Sequence, residues 1–227
     1  MKQRFQALMV GIILLLSTTP LLADEAKQAE AQKLVEQATR VVNSFSVDPD
    51  LVWFREKVKD AKALLIIPKK LKGAFLVGGS GGSGVLIAQD GETHEWGSPA
   101  FYSMGSISLG FQAGASSSEI ILMIMSDKAM NGLLTSSFKM GADIKAAAGP
   151  VGGGTTARMA DIMSYARSKG AFAGMSFDGA VIEARDDLSG AYYGQQVSAT
   201  DILINNAVSS PHADELRSAV KAITSDN

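Results

Sequence analysis

Between Arg55 and Lys72, seven cationic side chains (Arg55, Lys57, Lys59, Lys62, Lys69, Lys70 and Lys72) stand against two acids, Glu56 and Asp60. That is a local excess of five positive charges in a chain whose formal net charge is −2. Ammonium and guanidinium groups at this density suit the reversible capture of phosphate-bearing anions, and each contributes ~1 kcal/mol near an anionic membrane surface. Trp53 borders the stretch, where an amphipathic ring can sit at headgroup level. The same charges also fit a solvated helix face followed by a charged turn.

Other chemistries find no support. Gly79 to Gly84 (GSGGSG) matches the GxGxxG string, but a dinucleotide site needs those glycines to open a helix whose free N–H groups receive the pyrophosphate. Here they lead into the apolar run Val85 to Ala88, which reads as a strand, so they are expected to form a flexible or bulged strand connection. Gly149-Pro150-Val151-Gly152-Gly153-Gly154-Thr155 lacks the lysine of a phosphate-cradling loop. There is no GxSxG, and Ser164-Tyr165-Ala166-Arg167 carries arginine where an SxxK enzyme needs a titratable lysine. His94, placed on a strand face, and His212, at the start of a terminal helix, have no partner fixed by a motif. Cysteine is absent, which removes disulfides, thiolate catalysis and cysteine-held metals, and no calcium-loop pattern occurs. The expectation is a protein with no catalytic residue, metal or cofactor. Near-neutral charge also argues against a nucleic-acid partner.

Residues 1–23 read as a secretory signal peptide: Lys2 and Arg4, an apolar run from Ala7 to Leu16, then Pro20 and small Ala23 before Asp24. The run is too short to span a ~30 Å hydrocarbon core as a helix. Leu21 occupies the position where such sites usually carry a small residue. The remainder, residues 24–227, is expected to be one domain in the periplasm, peripheral to a membrane, with 19 basic residues against 23 acidic ones.

The elements that must carry these charges follow from periodicity. Leu34, Ala38, Val41, Val42 and Phe45 repeat at helical spacing, and Asp48-Pro49-Asp50 starts a second helix with the stripe Leu51, Phe54, Val58 and Ala61. Strands are expected over Ala63 to Ile67 (stopped by Pro68), Ala74 to Val77, Val85 to Ala88 and the alternating Ile107, Leu109 and Phe111. The fully apolar Ile120 to Met125 reads as a central strand. Asp127 is expected to cap a short helix, followed by strands over Phe138 to Ala148, Ala171 to Phe177 and Ala180 to Ala184. Helices near Ser198 and over Pro211 to Ile223 close the chain. Strands in the middle and helices at both ends predict an α+β fold, mainly antiparallel.

Several of these stretches together resemble the SYLF domain family, also known as an actin-regulator domain. They are Ala63 to Lys69 (ALLIIPK) with Gly73; Gly97 to Tyr102 (GSPAFY); Ser106 to Gly114 (SISLGFQAG); Met125 to Ala129 (MSDKA); Gly141-Ala142-Asp143; and Ala147 to Gly152 (AAGPVG). Ser164 to Gly170 (SYARSKG), Phe172-Ala173-Gly174, Gly179-Ala180 and Tyr192-Tyr193-Gly194 complete the series, so the resemblance covers about residues 40–206. Gly153 departs from it, standing where a basic residue is expected after GPVG.

The resemblance implies a non-catalytic lipid-binding module, since eukaryotic members bind phosphoinositides through basic, amphipathic N-terminal sequence and some bind actin. Carried onto this chain, the lipid role falls on Trp53, Arg55, Lys57, Lys59, Lys62, Lys69, Lys70 and Lys72, with Arg167 and Lys169 secondary. An exported bacterial chain would meet no actin, so an anionic phospholipid surface is the expected partner. A protein-interaction or structural envelope module with incidental lipid contact is the alternative, and an enzyme with an unfamiliar site is a third.

Overall fold

The computed structural model describes residues 19–74, 78–108, 116–141, 144–149, 160–168, 171–172 and 179–225. Helix α1 (Thr19–Ser46) buries Leu34, Val35, Ala38, Val41, Val42 and Phe45, a stripe at three- and four-residue spacing. It runs unbroken through the Ala23–Asp24 junction. Asp48 then caps the next turn as expected, its Oδ1 accepting the Asp50 N–H at 3.0 Å.

The second helix is not one helix. A 3₁₀ turn (Pro49–Leu51), helix α2 (Val52–Lys57) and another 3₁₀ turn (Val58–Asp60) follow one another. Its stripe is buried all the same. The chain tightens at both ends, where the apolar spacing is three residues (Leu51 to Phe54, Val58 to Ala61), the repeat of a 3₁₀ turn.

One sheet forms the middle, with nine strands among the described residues: β1 (Ala63–Ala74), β2 (Gly78–Ala88), β3 (Ala100–Ser108), β4 (Ser116–Ile124), β5 (Ser137–Lys139), β6 (Ala146–Ala148), β7 (Ile162–Ser168), β8 (Ala171–Phe172) and β9 (Val181–Ala184). Their order is β5-β9-β3-β2-β1-β4-β7-β6, with β8 beside β7; every pair is antiparallel except β6 with β7. The remaining helices are α3 (Asp127–Leu133), α4 (Asp186–Tyr193), α5 (Ala199–Leu203) and α6 (Asp214–Ser225).

Alternation along the strands feeds two cores. Leu64, Ile66, Val85, Ile87, Phe101, Ile121 and Tyr165 pack with α1, α2 and α6, while Leu65, Ile67, Leu86, Tyr102, Ile120 and Leu122 pack with α3 and α5. Ile120 to Ile124 are all fully buried, the doubly covered central strand that the apolar run predicts. The α+β architecture, mainly antiparallel with helices toward both ends, is thus observed.

Pro68 does not stop β1. Ile66 faces Val85 and Leu71 faces Gly81 on β2, while Ile67 faces Ile120 and Lys70 faces Ser118 on β4, so β1 carries one extra residue against each neighbour. That bulge is how a proline, which has no N–H for the ladder, is held inside a central strand. The bulge in turn explains the glycines: Gly78 to Gly84 form part of β2, not a connection between strands. A Cβ on Gly84 would lie 2.4 Å from the Ile66 carbonyl oxygen, and one on Gly82 would lie 2.6 Å from that of Lys69.

Other expectations are corrected locally. Ser126, not Asp127, caps α3, its hydroxyl accepting the Ala129 N–H at 3.2 Å. Phe138 to Ala148 divides into β5 and β6, and His94 lies in a turn with φ 56°, not on a strand face. Strand β7 and helix α4 have no counterpart in the sequence reading. Ser198 caps α5 with a reciprocal capping box through Asp201. Residues 75–77, 109–115, 150–159 and 173–178, with the expected strand ends and most of the GPVG loop, lie outside the described residues.

Helix α4 is tied to α1 by Asp187, which pairs with Arg185 at 2.8 Å and with Lys27 at 3.3 Å. Hydrogen bonds from Arg185, against some desolvation, and then from Lys27 hold its carboxyl well below the ordinary carboxylate range. A depressed folded pKa means that this contribution is complete above the unfolded value near ~4 and is lost as pH falls through the folded one. Asp187→Asn should therefore lower the urea midpoint at pH 7 and flatten its decline below pH ~4, whereas an unchanged acid limb would deny Asp187 this role.

Candidate functional site

Among the described side chains, the cations of the early stretch have separate surroundings. The Arg55 guanidinium donates to the carbonyls of Ser46 (3.4 Å) and Asp48, satisfying acceptors left open where α1 ends. Lys57 pairs with Asp60 at 3.1 Å and Lys62 with Asp127 at 2.8 Å. Lys70 is buried, 5% exposed, in the β1 bulge. Lys59 and Lys69 are exposed. Lys72 stands on β1 opposite Ser80 and Ser116; its side chain, and Lys169, lie outside the described residues. Trp53 is half-buried, its ring 6.4 Å from that of Tyr165 at the edge of the helix-covered core.

Two of the predicted residues, Lys69 and Arg167, do meet. They line a cleft of about 570 Å³ together with Arg40, Glu119, Ser117 and Ser118. Its walls come from four elements: α1 gives Gln37, Arg40, Val41 and Ser44, the bulge gives Pro68 and Lys69, β4 gives Ser117 to Glu119, and β7 gives Arg167. The geometry follows from the sequence of causes already described. Pro68 lies in the bulge, the bulge carries Lys69 to the cleft, and Ser117 and Ser118 line the same cleft from β4. Three cations face one acid, an arrangement suited to an anion with hydroxyl donors at hand.

Arg167 is the most constrained member, with its side chain 17% exposed. Nε and Nη2 donate to Glu119 Oε2 at 2.9 and 2.6 Å, Nη2 also donates to Ser44 Oγ, and Nη1 lies 3.7 Å from Asp48 Oδ2. Its Cζ sits 4.9 Å above the Phe45 ring, a cation–π contact that locks the end of α1 over β7. Arg40 escaped the sequence reading because it sits on the solvent side of a helix rich in Glu, Lys and Gln, 29 residues from Lys69 and 127 from Arg167. Nothing local marks it.

Among the described residues no group of three or more His, Asp or Glu side chains is placed to hold a metal ion, and no helix is long and apolar enough to cross a membrane. His94 lies in its turn and His212 in the 3₁₀ turn before α6, its Nε2 3.4 Å from Gln32 Nε2.

A sheet covered by helices on both faces, with a cationic cleft beside its bulged strand, defines an α+β domain built around a charged recess. The chain belongs to the Ysc84 family, described as Las17-binding protein actin regulator, which matches residues 105–223, just over half its length. The SYLF resemblance is thereby borne out. The chain is 28% identical to SH3 domain-containing YSC84-like protein 1 of Homo sapiens over 211 residues, covering 89% of this chain and 59% of that protein. It is 29% identical to Protein YSC84 of Saccharomyces cerevisiae over 197 residues, covering 80% of this chain and 41% of the relative. LAS seventeen-binding protein 3 of the same species gives 29%, with 80% and 42% covered. The chain thus spans roughly two-fifths to three-fifths of the length of these curated relatives.

Proposed function

We propose that this chain is a non-enzymatic binding module that docks on anionic phospholipid headgroups, working in the periplasm of a bacterium after residues 1–23 direct its export. The observation that carries the reading is the convergence of Arg40, Lys69 and Arg167 on one cleft. Exposed apolar side chains support it: Val47 (79% exposed) directly precedes Asp48, the acid beside Arg167, and Leu71 (52% exposed) follows Lys69 by two residues. Cations with apolar neighbours are what a peripheral membrane contact needs, Coulomb attraction first and shallow insertion second.

Sedimentation with phosphatidylglycerol and phosphatidylcholine vesicles at low and high salt tests it. The chain should pellet with the anionic vesicles and be released near 1 M salt, where the Debye length shrinks to ~3 Å. Arg40→Gln and Lys69→Gln should each weaken binding about fivefold, the effect of one cation near such a surface. Equal binding to both vesicle types, or to neither, counts against lipid docking. The family description and the name of one relative, LAS seventeen-binding protein 3, favour a second reading, a protein partner. That reading requires one specific crosslinked envelope protein whose capture survives both glutamine substitutions. In the proposed compartment, actin would be out of reach.

A further inference from the structure

Glu119 occupies the place in the cleft that an incoming anion needs. It stands directly across from Arg167 in the β4–β7 register, and one of its oxygens takes two of the guanidinium's hydrogen bonds. The other acid near that guanidinium, Asp48, is spent as a cap and does not line the cleft. Glu119 does line it, beside Arg40 and Lys69, with its side chain 39% exposed and so able to swing into solvent.

We infer that Glu119 is a built-in competitor, and that a headgroup phosphate enters the cleft by taking its place on Arg167. The inference rests on the lipid-docking reading and adds a selectivity to it. A phosphodiester headgroup brings one negative charge, no more than the carboxylate it displaces, so the exchange gains little. A phosphomonoester carries about −1.5 to −2 charges near pH 7 and three acceptor oxygens. It can satisfy the planar guanidinium as a bidentate partner and still face Arg40 and Lys69. The ligand class is therefore a lipid whose headgroup ends in a phosphomonoester, of which phosphatidic acid is the simplest probe.

The test uses the full 227-residue chain and phosphatidylcholine vesicles carrying phosphatidic acid or phosphatidylglycerol at matched surface charge. Pure phosphatidylcholine vesicles subtract anything that the N-terminal segment contributes. The unaltered chain should prefer phosphatidic acid about three- to fivefold, the worth of one half-exposed ion pair. Glu119→Gln keeps the side-chain volume while removing the competing charge. It should strengthen binding to both lipids by a similar factor, since either headgroup must otherwise displace the same carboxylate, and leave the preference for phosphatidic acid in place. A urea midpoint for Glu119→Gln within the range of the parent shows that the fold is kept; Glu119→Ser provides a second variant if it is not. Equal binding of the parent to both lipids, with Glu119→Gln and Glu119→Ser unchanged while Arg40→Gln still weakens both, overturns the exchange and leaves docking standing. Loss of any preference for anionic over neutral vesicles overturns docking, and the exchange with it.

Discussion

Alanine at Gly84 should lower the unfolding free energy by about 2–3 kcal/mol, the upper part of the usual overpacking range. The added Cβ would fall 2.4 Å from the Ile66 carbonyl oxygen and 2.8 Å from Ile67 Cγ1. The first obstacle is backbone in the bulged strand, so no rotamer change relieves it; β1 and β2 must part, or the bulge must move. Gly81→Ala is the control three residues earlier on the same strand, where the nearest atom is the Met104 carbonyl oxygen at 3.7 Å, an ordinary contact. It should change stability by no more than ~0.5 kcal/mol. Urea unfolding checks both, with the midpoint falling for Gly84→Ala and the slope unchanged. If the two variants were equally stable, the glycines of β2 would not be there for the bulge. The consequence reaches the cleft, because Lys69 stands in that bulge and its position depends on the same close approach.

What could be read in advance was whatever a short window determines. The α1 stripe, the fully buried Ile120 to Ile124, the cap at Asp48 and the helix beginning near Ser198 each follow from neighbours within a few residues, and each is observed. The bulge at Pro68 was hidden because an internal proline is a stop signal in isolation; only two flanking strands make an interrupted strand worth continuing. The glycines were misread for the same reason, since the carbonyls they admit belong to another strand. The charge cluster shows the limit most plainly. Lys62 finds its acid 65 residues away at Asp127, and Arg167 finds Glu119 48 residues back. A run of cations in sequence gives the supply of charge, whereas the sheet register decides which charges are neutralised and which, with Arg40 added from α1, share a cleft.

Phe54→Ala should have the larger effect, about 3–5 kcal/mol, as expected for removing a fully buried aromatic side chain. Its ring sits edge-on to Tyr165 at 5.2 Å and to Phe45 at 6.2 Å, and Phe45 is the ring beneath the Arg167 guanidinium. Truncation leaves a cavity where α1, α2 and β7 meet, so the loss extends from packing to the placement of the cleft's most constrained cation. Phe54→Leu keeps most of the apolar volume and loses the edge-on contacts, each worth about 0.5–1.5 kcal/mol beyond burial. It should fall between the parent and the alanine variant in urea midpoint. Vesicle binding separates the two consequences. At a denaturant-free temperature where Phe54→Leu remains folded, its affinity for anionic vesicles should drop more than its far-ultraviolet helix signal. The aromatic cluster then acts as the mount for Arg167; an affinity equal to the parent's would mean that the guanidinium is held by Glu119, Ser44 and Asp48 alone.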